Sequence, residues 1–231
     1  MTTTTIPAAA TAAATVPAHI RANRVTRSLL GYGVLAGPFY VTVSLTQALT
    51  RDGFDLTRHA WSLLANGEHG WIQVTNFILT GLMVIAAAVG LHRALPAAPW
   101  AGRLTGVYGA GMIAAGVLRA DPAMGFPAGT PEGPGTVSWH GLGHLTAGGI
   151  GFLCVIAACF VVARRFARDG RKGWAVYSRI SGALFLVGFA GIAAPALTVG
   201  FIAAVIVIWT WLAAVSIDLY RALPCPLTGT P

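Results

Sequence analysis

The sequence predicts an all-α integral membrane protein: a bundle of six transmembrane helices with both termini cytoplasmic. Three observations lead there. Only 10% of the 231 residues are charged and 55% are hydrophobic, against about 25% charged in an ordinary soluble domain. With a mean hydropathy of +0.70, the chain has too few charges to cover a water-facing surface. Six stretches are apolar over roughly the 20 residues that a helix needs to cross a hydrocarbon core of ~30 Å: 28–50, 71–95, 102–120, 138–166, 174–196 and 198–222. The basic residues between them fall mostly on one side of such a bundle, which fixes its orientation.

Residues 1–27 read as a disordered Thr/Ala-rich tail with a basic juxtamembrane end, Arg21, Arg24 and Arg27. A cleaved leader places its basic residues before the apolar run, not after such a tract, so the first span is expected to remain. Pro38 lies within that span, where a kink is tolerated. The first long loop carries Leu56, Trp61, Leu63 and Leu64 among Asp55, Arg58 and His59. It predicts a short amphipathic helix lying in the membrane interface. Span 3 is short and Gly-rich and gives the weakest signal. The second long loop, Asp121-Pro-Ala-Met-Gly-Phe-Pro-Ala-Gly-Thr-Pro131, has too much Pro and Gly for a helix and predicts an ordered, turn-rich lid. Pro195 to Thr198 divides the last two spans, and residues 223–231 form a C-terminal tail.

The net charge is +8 and the isoelectric point about 10.3. The basic residues come in short clusters between apolar runs, so they act as topology signals and no nucleic-acid partner is expected. With six spans, Arg21, Arg24, Arg27, Arg93, Arg103, Arg164, Arg165, Arg168, Arg171, Lys172, Arg179 and Arg221 share the side of the termini. Arg51, Arg58 and Arg119 take the other. Twelve against three puts the termini in the cytoplasm. Arginine outnumbers lysine 14 to 1 and alanine is abundant, a GC-rich bacterial composition that places the chain in a bacterial cytoplasmic membrane. The three cysteines show neither C-x-x-C nor zinc-finger spacing.

Polar side chains inside a membrane are costly and tend to face the bundle interior. Here they gather toward the outer side. Gln73, Asn76 and Thr80 share one helical face of span 2 at i, i+3 and i+7. Ser44 and Gln47 lie at the same depth in span 1. Arg119 and Asp121 close span 3, and His140 and His144 open span 4. This predicts an outward-facing polar pocket between helices 1–4, roofed by the two long loops. Its candidate ligand-binding residues are Gln73, Asn76, Arg119, Asp121, His140 and His144. Expected partners are membrane lipids and a small molecule or lipid headgroup that the protein binds or helps to move.

Three stretches together, Gly70-Trp-Ile-Gln-Val-Thr-Asn-Phe77, the Asp121–Pro131 loop and Ser138-Trp-His-Gly-Leu-Gly-His144, resemble the membrane family known as domain of unknown function 998. The resemblance covers roughly residues 28–220. It implies a six-helix architecture and brings no established activity and no functional residue.

An alternative function class is a metal-assisted, membrane-embedded lipid hydrolase. His140 and His144 at i, i+4 share a helix face, and with Asp121 they would offer three zinc ligands. That set is similar to the His and Asp constellation of intramembrane zinc lipid hydrolases such as alkaline ceramidases, which have seven spans and a different motif order. The favoured expectation is no cofactor, with zinc as the alternative. If His140 and His144 serve a site and not the fold, replacing either by alanine should abolish function and leave melting unchanged.

Overall fold

The computed structural model describes residues 18–193 and 195–224. The expected tail over 1–17 and the chain from 225 onward lie outside the described residues. Among the described residues the fold is all helical. The long helices are α1 (Ala18–Thr50), α2 (Gly70–Ala94), α3 (Pro99–Val117), α4 (Trp139–Arg168), α5 (Lys172–Ala190) and α6 (Thr198–Ala222). All but α3 are long and apolar enough to cross a membrane. At 19 residues and about 1.5 Å per residue, α3 still matches the hydrocarbon thickness. Its glycines and Arg103 lower its hydropathy.

The helices form a closed ring. Each packs on its neighbours in sequence, and α6 returns to α1. α1 begins well before the first apolar span: residues 18–27, read as part of the disordered tail, are helical. Part of that stretch is tied down by packing, since Arg93 Nε donates to Thr26 Oγ1 at 2.9 Å and joins the starting turns of α1 to the end of α2. At the same end of the bundle Arg171 Nη2 bonds Asp218 Oδ1 at 2.5 Å. That contact spans the α4–α5 turn and α6. Higher up, the Trp211 indole N–H donates to Ser178 Oγ at 3.0 Å between α6 and α5.

The glycines of α3 let two neighbouring backbones approach it. A Cβ on Gly109 would lie 2.8 Å from the Gly81 carbonyl oxygen of α2, and one on Gly111 would lie 2.7 Å from the Ala147 carbonyl oxygen of α4. Small residues at such crossings take the place of side-chain interdigitation.

Candidate functional site

Both long loops lie at one end of the ring and interlock there. Arg51 directly follows α1. It donates to the Leu64 carbonyl at 2.5 Å and the Asn66 carbonyl at 2.6 Å, and its guanidinium lies 4.9 Å from the Phe126 ring centre. The first loop does contain a short helix, a 3-10 turn over Trp61–Ala65. It does not lie in the interface: Trp61, Leu63, Leu64 and Ala65 are buried. Its carbonyls turn toward Arg51 and its side chains toward the bundle.

His59 joins this loop to the second. Its Nδ1 accepts the Asp55 N–H at 2.8 Å, so Nε2 carries the proton and donates to the Met124 carbonyl at 2.9 Å. The ring packs between Phe54 and Phe126, with centroids at 5.2 and 5.5 Å. Met124 holds φ at 56°, a left-handed conformation that is costly for a side-chain-bearing residue. It persists between the His59 contact and a 2.7 Å bond from the Met124 N–H to the Gly133 carbonyl. Arg58 and Glu132 add an ion pair between the loops. The lid expected over 121–131 is thus folded around buried Phe126.

Where α3 meets α4, Asp121 Oδ2 accepts the Ser138 N–H at 2.8 Å and Oδ1 accepts the Ser138 hydroxyl at 2.6 Å. Ser138 Oγ in turn accepts the Gly141 N–H at 3.1 Å and caps α4. Burial alone would push the Asp121 carboxyl up. The two Ser138 bonds, with His140 and His144 nearby, outweigh it and hold the carboxyl below the usual carboxylate range. A carboxylate at a helix N-terminus also meets the positive end of the helix dipole.

The two histidines face α3 in antiparallel register. His144 Nδ1–H donates to the Ala115 carbonyl at 2.7 Å, and four residues back His140 Nδ1–H donates to the Arg119 carbonyl at 3.0 Å. The last carbonyls of a helix have no partner within it, and these rings supply partners at the end of α3. Both imidazoles therefore hold the fold, against the expectation that their removal would leave melting unchanged. The His144→Ala protein should melt lower by the equivalent of about 1–3 kcal/mol, the cost of stranding a buried acceptor. His140→Ala should cost less, because that side chain is 41% exposed. Differential scanning fluorimetry of the two variants in one detergent tests the order.

Gln73 and Asn76 belong to neither site. Both are fully buried between α2 and α1. Gln47 Nε2 donates to Gln73 Oε1 at 2.8 Å, Gln73 Nε2 donates to Ser44 Oγ at 3.0 Å, and Asn76 Nδ2 donates to the Tyr40 carbonyl at 3.1 Å. Thr80 closes the set on Asn76 Oδ1 at 3.2 Å. Arg119 is exposed, and among the described residues no ion pair holds its guanidinium. The six expected residues are thus divided among a helix–helix network, a helix cap and the end of α3. For the zinc alternative, each histidine's Nδ1 is engaged with a carbonyl and both Asp121 oxygens are engaged with Ser138. Among the described residues no group of three His, Cys, Asp or Glu side chains converges on a metal-sized space.

The structure instead opens a cavity of about 130 Å³ beneath the roof. Trp61 and Ser62 cover it. Four rings run down one wall: Trp61 to Tyr40 at 5.9 Å, Tyr40 to Phe77 at 5.7 Å and Phe77 to His144 at 6.1 Å between centroids. Tyr108, Phe152, Phe189 and Phe201 contribute from α3 to α6. The space exists because α3 and α4 present Gly111, Ala115, Gly148, Gly149 and Gly151 to it, too small to fill what the opposing rings leave. Its side toward α5 is open. Leu145 and Ile192 on its rim are 58% and 43% exposed, and a Cβ on Gly148 would meet nothing within 4 Å. Of the candidate residues read from the sequence, His144 alone lines this cavity. The rest of the lining was missed, because Tyr40 and Tyr108 looked like ordinary members of apolar runs.

A family model described as "Protein of unknown function (DUF998)" matches residues 34–218, in agreement with the resemblance read from the three motifs. No curated protein and no solved structure matches the chain.

Proposed function

We propose that this chain, which belongs to the DUF998 family of proteins of unknown function, is a membrane-embedded binding protein that takes a small membrane-dissolved molecule into the cavity beneath its roof. The observation that carries the reading is the cavity itself: about 130 Å³ of space, well beyond a water site. An engineered apolar cavity of comparable size, about 150 Å³, holds a benzene ring. The lining is mostly aromatic with a few polar groups, the usual make-up of a ligand site. The ligand arrives sideways from the lipid, through the gap beside Gly148, because the interlocked loops close the axial route. Of the polar side chains expected to hold a headgroup, Gln73 and Asn76 bond groups of α1, Asp121 bonds Ser138 and the two histidines bond backbone carbonyls, which favours an apolar occupant. The twelve-to-three distribution of basic residues supports placing the roofed end outside the cytoplasm, and the composition supports a bacterial cytoplasmic membrane.

A small phenyl-diazirine dissolved in nanodisc lipid tests this. On irradiation it should label Tyr108 and Met112, which are only 3% and 5% exposed and are reached from lipid through the cavity. The Gly148→Phe protein should keep its melting temperature, because a Cβ there would meet nothing within 4 Å and the ring can extend into the gap, and should lose most of that labelling. Wild-type protein labelled only at lipid-facing positions such as Leu153 and Val187 overturns the proposal.

A further inference from the structure

The polar groups on the cavity wall specify the ligand more closely, and this inference rests on the binding reading above. His144 lines the cavity. Its Nδ1 carries the ring proton, because it donates to a carbonyl, and a carbonyl oxygen can only accept. Nε2 is then a lone-pair acceptor, and among the described residues it has no hydrogen-bond partner. The rest of the lining is mostly apolar, with Tyr40, Ser62 and Tyr108 as its hydroxyl-bearing residues. The wall thus offers a ring-nitrogen acceptor in a largely apolar enclosure.

Among the described residues no charged side chain lines the space. The nearest cations in the roof are engaged, Arg51 with two backbone carbonyls and Arg58 with Glu132. An anionic headgroup would enter without a counter-charge, and an unpaired buried charge is far costlier than a neutral polar group. A pure hydrocarbon would leave His144 Nε2 unmatched. We infer that the ligand is a neutral, membrane-soluble alcohol whose ring-sized apolar end enters the cavity with its hydroxyl donating to His144 Nε2. The remainder of a longer molecule would trail through the gap between Leu145 and Ile192 into lipid.

Competition against the phenyl-diazirine separates the possibilities, with each competitor compared at equal mole fraction in the bilayer. Benzyl alcohol should protect Tyr108 and Met112 at roughly tenfold lower mole fraction than toluene. Benzyl methyl ether accepts but cannot donate, so it should protect no better than toluene. Ionised benzoate should protect no better than toluene. Toluene or the ether matching the alcohol, with deep labelling intact, overturns the hydroxyl assignment and leaves the cavity as a hydrocarbon site. Stronger protection by benzoate overturns the neutral head. An absence of deep labelling in the uncompeted wild type defeats the binding reading itself.

Discussion

The Gly109→Leu protein is expected to fail to assemble a stable bundle, with a loss of about 3 kcal/mol or more. Overpacking an ordinary core costs about 1–3 kcal/mol because neighbouring side chains shift. At Gly109 the neighbours are backbone. The added Cβ would lie 2.8 Å from the Gly81 carbonyl oxygen and 3.1 Å from the Ile85 nitrogen, and neither can yield unless α2 and α3 separate. Gly106 is the control. A Cβ there would meet only the Ala88 methyl at 3.6 Å, so Gly106→Ala should be neutral or stabilising by the ~0.5–1 kcal/mol that alanine gains over glycine in a helix. Size-exclusion profiles and melting curves in mild detergent should show aggregated or low-melting Gly109→Leu beside wild-type-like Gly106→Ala. Similar curves for the two would mean that the α2–α3 contact is looser than the backbone approach implies.

Asp121→Ala should produce the second large effect, a loss of about 2–3 kcal/mol. Two bonds to a charged acceptor disappear, at about 1.5–3 kcal/mol gross for each, partly offset by water reaching Ser138. Gly141→Ala should reproduce much of this loss without touching the carboxylate, because its Cβ would lie 1.8 Å from Asp121 Oδ2. The pH dependence identifies the cause. The native carboxyl is held below its unfolded value of about 3.9. Its contribution is therefore complete above that value and is lost as pH falls through the lower native one. Wild-type melting temperature should drop across that acid range. Asp121→Asn should start lower at neutral pH and show a shallower acid limb. Parallel acid limbs in the two proteins would assign the acid sensitivity to another carboxylate.

The helices were legible because a span is a property of length and apolar content, and both are local. Spans 3 and 4 were found for the same reason, although α3 ends at Val117, short of the expected 120. Orientation around each helix axis was not legible. Gln73 and Asn76 do share a face, as their spacing requires, but the sequence does not say whether that face meets a cavity or the amides of α1. The first loop misled in a related way. Trp61 and Leu64 have the spacing of an interfacial helix. Only the distant Arg51 and Phe126 decide that those side chains turn inward. The i, i+4 spacing of His140 and His144 matches the carbonyls of Ala115 and Arg119, four residues apart at and just beyond the end of α3, an acceptor set invisible in side-chain patterning. The cavity was the least legible feature, because a void is defined by what six helices fail to fill.

The thin, glycine-rich character of α3 bears on how the protein is made. A segment enters the bilayer from the translocon on its own apolar strength, and α3 is the one long helix here that lacks it. Its cost in lipid falls only when neighbours cover its exposed peptide groups. The α2 backbone at Gly81 is already synthesised when α3 emerges, whereas the α4 backbone at Ala147 comes later. During translation α3 therefore depends on α2 for its first partner, and the pair integrates as a hairpin. The connection between them, from Leu95 to Ala98, is short enough to enforce that pairing. Asp121, Ser138 and the two histidines can engage only after α4 has entered. The contacts that finish the lock between α3 and α4 are then also the last step that commits α3 to the membrane.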